Sequence, residues 1–146
     1  MTAEDIIAQL ALEPHPEGGW YRQTWQSEVA CAARASGTCI YFLLKPGERS
    51  HWHRVDAVEI WHHYAGATLT LRVSEAADGP AERFRLGRDL RAGERPQVMV
   101  PKDAWQSAEN TSAEDWGLVG CTVSPGFRFE GFTLAEPDFD IPGLSS

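Results

Sequence analysis

Nine short runs rich in β-branched and aromatic residues succeed one another between Thr38 and Leu134: residues 38–44, 50–54, 58–65, 68–74, 81–86, 96–100, 105–110, 115–123 and 128–134. Lys45-Pro46-Gly47, Ala65-Gly66, Asp78-Gly79-Pro80, Ala92-Gly93 and Ser124-Pro125-Gly126 break the chain between most of them. Many short strands joined by Gly- and Pro-bearing turns select an all-β barrel or sandwich over an α/β fold. An earlier aromatic run, Trp20, Tyr21, Thr24 and Trp25, adds a strand fed by the Pro- and Gly-rich loop before it. The one expected helix is short: Thr2 caps it, Asp5 stands three places on, and Ile6, Ile7 and Leu10 form its apolar stripe before Pro14 ends it. A length of 146 residues fits one domain. We divide it into a short helix over 1–13, a barrel over 14–135 and a tail over 136–146 expected to lie on the surface or fray.

The formal charge of −8 argues against a nucleic-acid partner, because phosphate binding rests on clustered Lys and Arg. The local arginine run, Arg83, Arg85, Arg88, Arg91 and Arg95, is interleaved with Glu82, Asp89 and Glu94 and reads as a solvated face. The acidic N-terminal stretch is unlike a signal peptide, and no run approaches the length of a membrane span. Cys31, Cys39 and Cys121 are widely spaced and outside any CxxC pattern. They suit reduced thiols of a cytoplasmic protein, with Cys39 and Cys121 in the core.

Residues 47–66 hold four of the five histidines of the chain. On a strand, residues two apart share a face, so His51 and His53 are expected to point the same way, with Trp52 opposed. With Glu59 arriving from the next strand, they would make the three-ligand face of a mononuclear metal site, an open position left for substrate. Metal-free acid–base or hydrogen-bonding work, and simple packing, are the other readings of the two imidazoles.

The same stretch resembles the first motif of the cupin superfamily: Gly47, then His51-x-His53, Glu59 and Gly66. The second motif lies over Gly93, Pro101, Asp103, Gln106 and Asn110, where Asp103 replaces a glycine and Gln106 stands at the fourth-ligand histidine. A neutral amide is a poorer ligand than imidazole for transition metals. Residues 14–24, 50–66, 86–90, 100–109 and 123–132 together resemble the uncharacterised cupin family DUF985, or cupin 5. That resemblance implies an RmlC-like jelly-roll barrel (the cupin double-stranded β-helix), a homodimer, and a pocket within the barrel walled by His53, Glu59 and Gln106.

Strand parity extends the pocket. If Glu59 faces inward, so do Trp61 and His63, with Ile60 and His62 outward. Phe127, Phe129 and Phe132 are expected to close its wall. A buried Glu59 needs a partner, for which His53 and Arg54 are candidates. His15 and Glu17 are read as bracing their turn, in a loop able to fold across the barrel mouth.

Three functions fit this pattern. The first is a small-molecule isomerase or epimerase, with His53 and Glu59 as the base and Tyr21 or Tyr41 as acid. Trp61, His63, Gln106, Tyr41 and Phe129 would then contact the ligand. The second is an oxygenase holding Fe, Mn, Ni or Zn on His51, His53, Glu59 and Gln106. The third is a barrel that binds a small ligand without turnover.

Overall fold

The computed structural model describes residues 1–29 and 33–143, so the expectation for Cys31 lies outside the described residues. Helix α1 (Ala3–Leu10) starts on a complete capping box. The Asp5 amide donates to Thr2 Oγ1 at 3.1 Å, and the Thr2 amide donates to the Asp5 carboxylate at 2.8 Å. Its buried residues, Ala3 and Ile6, pack on Leu12 and Leu43, with Tyr41 beside them. The helix therefore covers the outer side of one strand.

Eleven strands follow. They are β1 (Glu13–Pro14), β2 (Trp20–Gln26), β3 (Thr38–Leu44), β4 (Arg49–Val55), β5 (Val58–Gly66), β6 (Leu69–Ser74), β7 (Glu82–Leu86), β8 (Gln97–Val100), β9 (Trp105–Glu109), β10 (Gly117–Ser124) and β11 (Phe132–Leu134). All pairs within the sheets are antiparallel. One sheet runs β1-β2-β3-β10-β5-β8, the other β11-β4-β9-β6-β7. The all-β jelly-roll architecture expected from the turn rhythm is the one found. β1 covers only Trp20 and Tyr21 of β2.

The space between the sheets divides along the strands. One part is filled by Phe42, Leu44, Trp61, Leu69, Leu71, Leu86 and Val119, each buried to within about 1% of full coverage. Farther along the same strands, Thr38 and Ile40 of β3, Glu59 of β5 and Val123 of β10 line a cavity instead.

Two expectations change. The stretch 128–134 is a strand only from Phe132, because Phe129–Gly131 forms a 3-10 turn. The tail is packed rather than frayed over its described part. Ile141 is fully buried with Trp52 and Ala81, Asp140 accepts the Trp52 indole N–H at 2.8 Å, and Phe139 lies 5.0 Å from Trp105. An indole on the outer face of β4 needs both an apolar cover and an acceptor, and the tail supplies both.

Candidate functional site

The site begins with an irregularity in β4. Ser50 pairs with Ala108 and His53 with Gln106, so His51 and Trp52 together oppose Ser107 alone. This is a β-bulge, and it overturns the simple alternation that put His51 and His53 on one face. Ser50 and His53 are both buried with their side chains at Glu17, Trp52 packs outward, and the His51 ring leaves the site to meet the Glu136 carbonyl at 2.7 Å through Nε2.

A bulge also detaches a backbone N–H from its ladder, and a buried amide requires another acceptor. The His51 amide donates to the Glu17 carbonyl at 2.7 Å. This bond docks the loop between β1 and β2 onto β4. The loop closes tightly, with the Gly18 amide on the His15 carbonyl and the His15 amide on the Gly19 carbonyl, both at 3.0 Å. Gly18 has φ 108°, and a side chain there would strike the Arg49 carbonyl.

Docking brings Glu17 to the centre of the site. Its Oε2 lies 3.0 Å from His53 Nε2 and also accepts the Ser50 hydroxyl. His53 Nδ1 lies 2.7 Å from the His51 carbonyl, an acceptor only, so Nδ1 carries a hydrogen. One proton is then shared between His53 Nε2 and Glu17, as imidazolium with carboxylate or as imidazole with carboxylic acid. Both residues are almost fully buried, which favours the neutral pair. Burial pushes the Glu17 carboxyl up to about 8, opposed by the Ser50 hydrogen bond. Burial also lowers His53, against the pull of the Glu59 charge.

His15 stands on the other side of Glu17, its Nδ1 3.2 Å from Oε1. That contact is no ion pair, since Nδ1 accepts the Glu17 amide hydrogen at 3.1 Å and burial pushes the ring down to about 4. His15 and Glu17 thus brace their turn, as expected, and also line the cavity.

Glu59 enters from β5. Its Oε1 accepts from Gln106 Nε2 at 2.8 Å, and Gln106 Oε1 accepts from Trp61 Nε1 at 2.8 Å. An indole nitrogen can only donate, so the amide of Gln106 has one orientation, with its NH₂ aimed at Glu59. The partner of Glu59 is therefore Gln106, not His53 or Arg54; the Arg54 guanidinium lies 4.8 Å from the Trp105 ring instead. Burial pushes Glu59 up to about 7, with His53 opposing and the Glu17 charge adding to the rise. Cys121 is buried beneath it, its thiol pushed up chiefly by burial.

The cavity has a volume of about 230 Å³. Glu17, His53 and Glu59 form its polar part, with Tyr21 and Gln23 of β2 to one side. Phe127, Phe129 and Phe132 provide the aromatic wall, where Phe129 is half exposed. Arg34 fastens the rim by pairing with both Asp56 oxygens at 2.7 and 3.1 Å while donating to the Gly126 carbonyl at 2.8 Å.

Several sequence candidates are not on this wall. Trp61 and Gln106 face inward but are buried beneath Glu59, where they hold it. Tyr41 is on the outer side of β3, 6.3 Å from Tyr64, because α1 covers that face. His63 faces inward by parity but lies farther along β5, bonded to the Ala67 carbonyl at 2.9 Å beside a separate depression with Glu94 and Thr68. His62 bonds Thr122 at 3.0 Å. For a metal, the donor set does not fit: the bulge turns His51 away, Gln106 is committed to Glu59 and Trp61, and no three His, Cys, Asp or Glu side chains among the described residues converge on one point. Glu17, far from the histidine motif, gave only one signal, the two glycines behind it.

Two antiparallel sheets enclosing a cavity with titratable groups on inward-facing strand positions define a cupin-like double-stranded β-helix barrel. The chain belongs to the family described as Cupin superfamily (DUF985), whose model matches residues 4–135. A crystallised protein from Shewanella oneidensis is 44% identical, covering 93% of this chain and 85% of its own, with a TM-score of 0.86. A hypothetical protein from Leishmania major is 33% identical over 92% of this chain and 88% of its own, with a TM-score of 0.81. An uncharacterized protein of Saccharomyces cerevisiae is 23% identical over 164 residues, spanning 98% of this chain and 80% of the yeast protein. No helix among the described residues is long and apolar enough to cross a membrane.

Proposed function

We propose that this protein is an isomerase- or epimerase-like enzyme that moves a proton on and off a carbon of a small metabolite held in the cavity. The observation that carries this reading is the 3.0 Å contact of Glu17 with His53 Nε2 at the cavity wall, a geometry that calls for one shared proton. General acid–base catalysis works best when the catalytic group titrates near the working pH, and burial has brought Glu17 to about 8 and Glu59 to about 7. In its imidazolium–carboxylate form the Glu17–His53 pair acts as the base: the Glu17 carboxylate takes the substrate proton while the imidazolium keeps its own, and the His51 carbonyl holds the Nδ1 hydrogen of the ring. Tyr21, whose hydroxyl is pushed up by burial and by Glu13, stays protonated and serves as the acid. Glu59, aimed by Gln106, orients the substrate.

The test is to incubate the protein with a metabolite extract in D₂O and follow mass gain at non-exchangeable positions. We expect one or a few compounds to gain deuterium, at a rate lowered at least ~100-fold by Glu17→Gln and by His53→Ala. A compound that is retained tightly but never labelled would replace this reading with that of a binding barrel.

A further inference from the structure

The arrangement of charge in the cavity narrows what it takes, on the reading above that this cavity is the functional site. Glu17 and His53 share one proton, so in either form the pair is neutral as a unit. Glu59 is the carboxyl left over. Its hydrogen-bond partner is the neutral Gln106 amide, and the nearby Cys121 thiol is neutral as well. No Lys or Arg is among the described residues that line the cavity. Two guanidiniums beside the phenylalanine segment, Arg34 and Arg128, both face Asp56, at 2.7 and 3.6 Å. His15 supplies no positive charge either, since burial keeps its ring neutral at ordinary pH. A phosphate or carboxylate placed here would meet the Glu59 carboxyl and a Glu17–His53 pair with no net charge, and neither lysine nor arginine.

The aromatic wall points to the opposite charge. Phe127 and Phe129 meet edge to face at 5.0 Å, Phe127 and Phe132 at 5.8 Å, and His15 joins the same group, 4.5 Å from Tyr21 and 5.9 Å from Phe132. Aromatic rings and a carboxyl lining one cavity suit an ammonium group, because ring faces and carboxylate both attract a cation. The cavity, at about 230 Å³, is also smaller than the roughly 300–1,000 Å³ of drug-sized sites, so the ligand is compact. We infer that the cavity selects small molecules bearing a protonated amine, held by the Glu59 carboxylate with their apolar part against Phe127, Phe129 and Phe132. Binding converts Glu59 fully to carboxylate, and the proton it held is released to solvent.

Three probes of one size and different charge test this: benzylammonium, benzyl alcohol and benzoate, titrated calorimetrically into the full chain near pH 7. We expect benzylammonium to bind at least ~10-fold more tightly than the alcohol, and benzoate least of all. Titration in buffers of different ionisation enthalpy should show a proton released by the wild type. Glu59→Gln should bring the amine to the affinity of the alcohol and abolish the proton release. Phe129→Ala, at a half-exposed position where folding is not at stake, should weaken the amine more than the alcohol. Equal affinities for amine and alcohol, benzoate as the tightest probe, or no binding by any of the three would overturn the inference. Amine preference without deuterium exchange would retire the acid–base reading and leave this one standing; exchange on a neutral or anionic metabolite would do the reverse.

Discussion

The two regions of the barrel interior are built by the same strands and behave as different materials. β5 gives Trp61 to the packed region and Glu59 to the cavity; β3 gives Phe42 and Leu44 to the first, Thr38 and Ile40 to the second. Between them stands the chain Trp61–Gln106–Glu59, which ends the dry core in a carboxyl group. Alternation alone decides that a side chain faces inward, whereas its position along the strand decides whether it meets partners or space. Stability and chemistry are thereby separated over a few residues, and substitutions should distinguish them.

The largest effect should come from the packed region. Leu71 is fully buried on β6, which contributes nothing to the cavity wall. Leu71→Ala should cost about 2–5 kcal/mol in urea denaturation while the folded fraction keeps its deuterium-exchange rate. An equal loss of both would mean that the regions are not independent. Glu17→Gln should do the converse: exchange falls at least ~100-fold, while stability near neutral pH stays within about 1 kcal/mol or rises, since an amide can still bond Ser50 and His53. A collapse in stability would make Glu17 structural.

The pH dependence sharpens the contrast further. Glu17 and Glu59 hold protons to about 8 and 7 in the folded chain against an ordinary 4.5. The folded state binds more protons than the unfolded one across that interval, so this stability is present below about 4.5 and lost as pH rises through 7 and 8. His15, lowered from 6.5 to about 4, acts oppositely: its contribution is present above about 6.5 and lost as pH falls. Above pH ~6.5 the carboxyl groups act alone. Unfolding free energy should therefore decline between pH ~6.5 and ~8.5, by at most about 1.4 kcal/mol per unit for each group, and Glu17→Gln with Glu59→Gln should flatten the slope. A wild-type profile as flat as that of the double variant would sink the assignment. The smallest effect belongs to His51→Ala, which removes a hydrogen bond outside the cavity: about 1 kcal/mol or less, with exchange unchanged. Loss of exchange there would restore His51 to the site.

Much of this arrangement was legible in the chain. Turn residues gave the strands, Thr2 and Asp5 gave the cap, and parity put Glu59, Trp61 and His63 indoors. The bulge was not legible, because it arises from how β4 meets β9 and no glycine or proline marks it. Glu17 was underrated for the same kind of reason. Its place depends on a backbone amide that only the bulge makes available. Tyr41 failed as an acid because parity assigns a face without saying which face a helix will cover.

At position 51 the chain contributes main chain rather than side chain: its amide holds Glu17 and its carbonyl holds His53. Any residue other than proline offers both groups. In a saturation library this histidine, the most conspicuous member of the motif, should be broadly replaceable. Deleting one residue between Ser50 and His53 should instead erase the site, because the extra residue is what separates the two. The cavity site is thus specified partly by residue count.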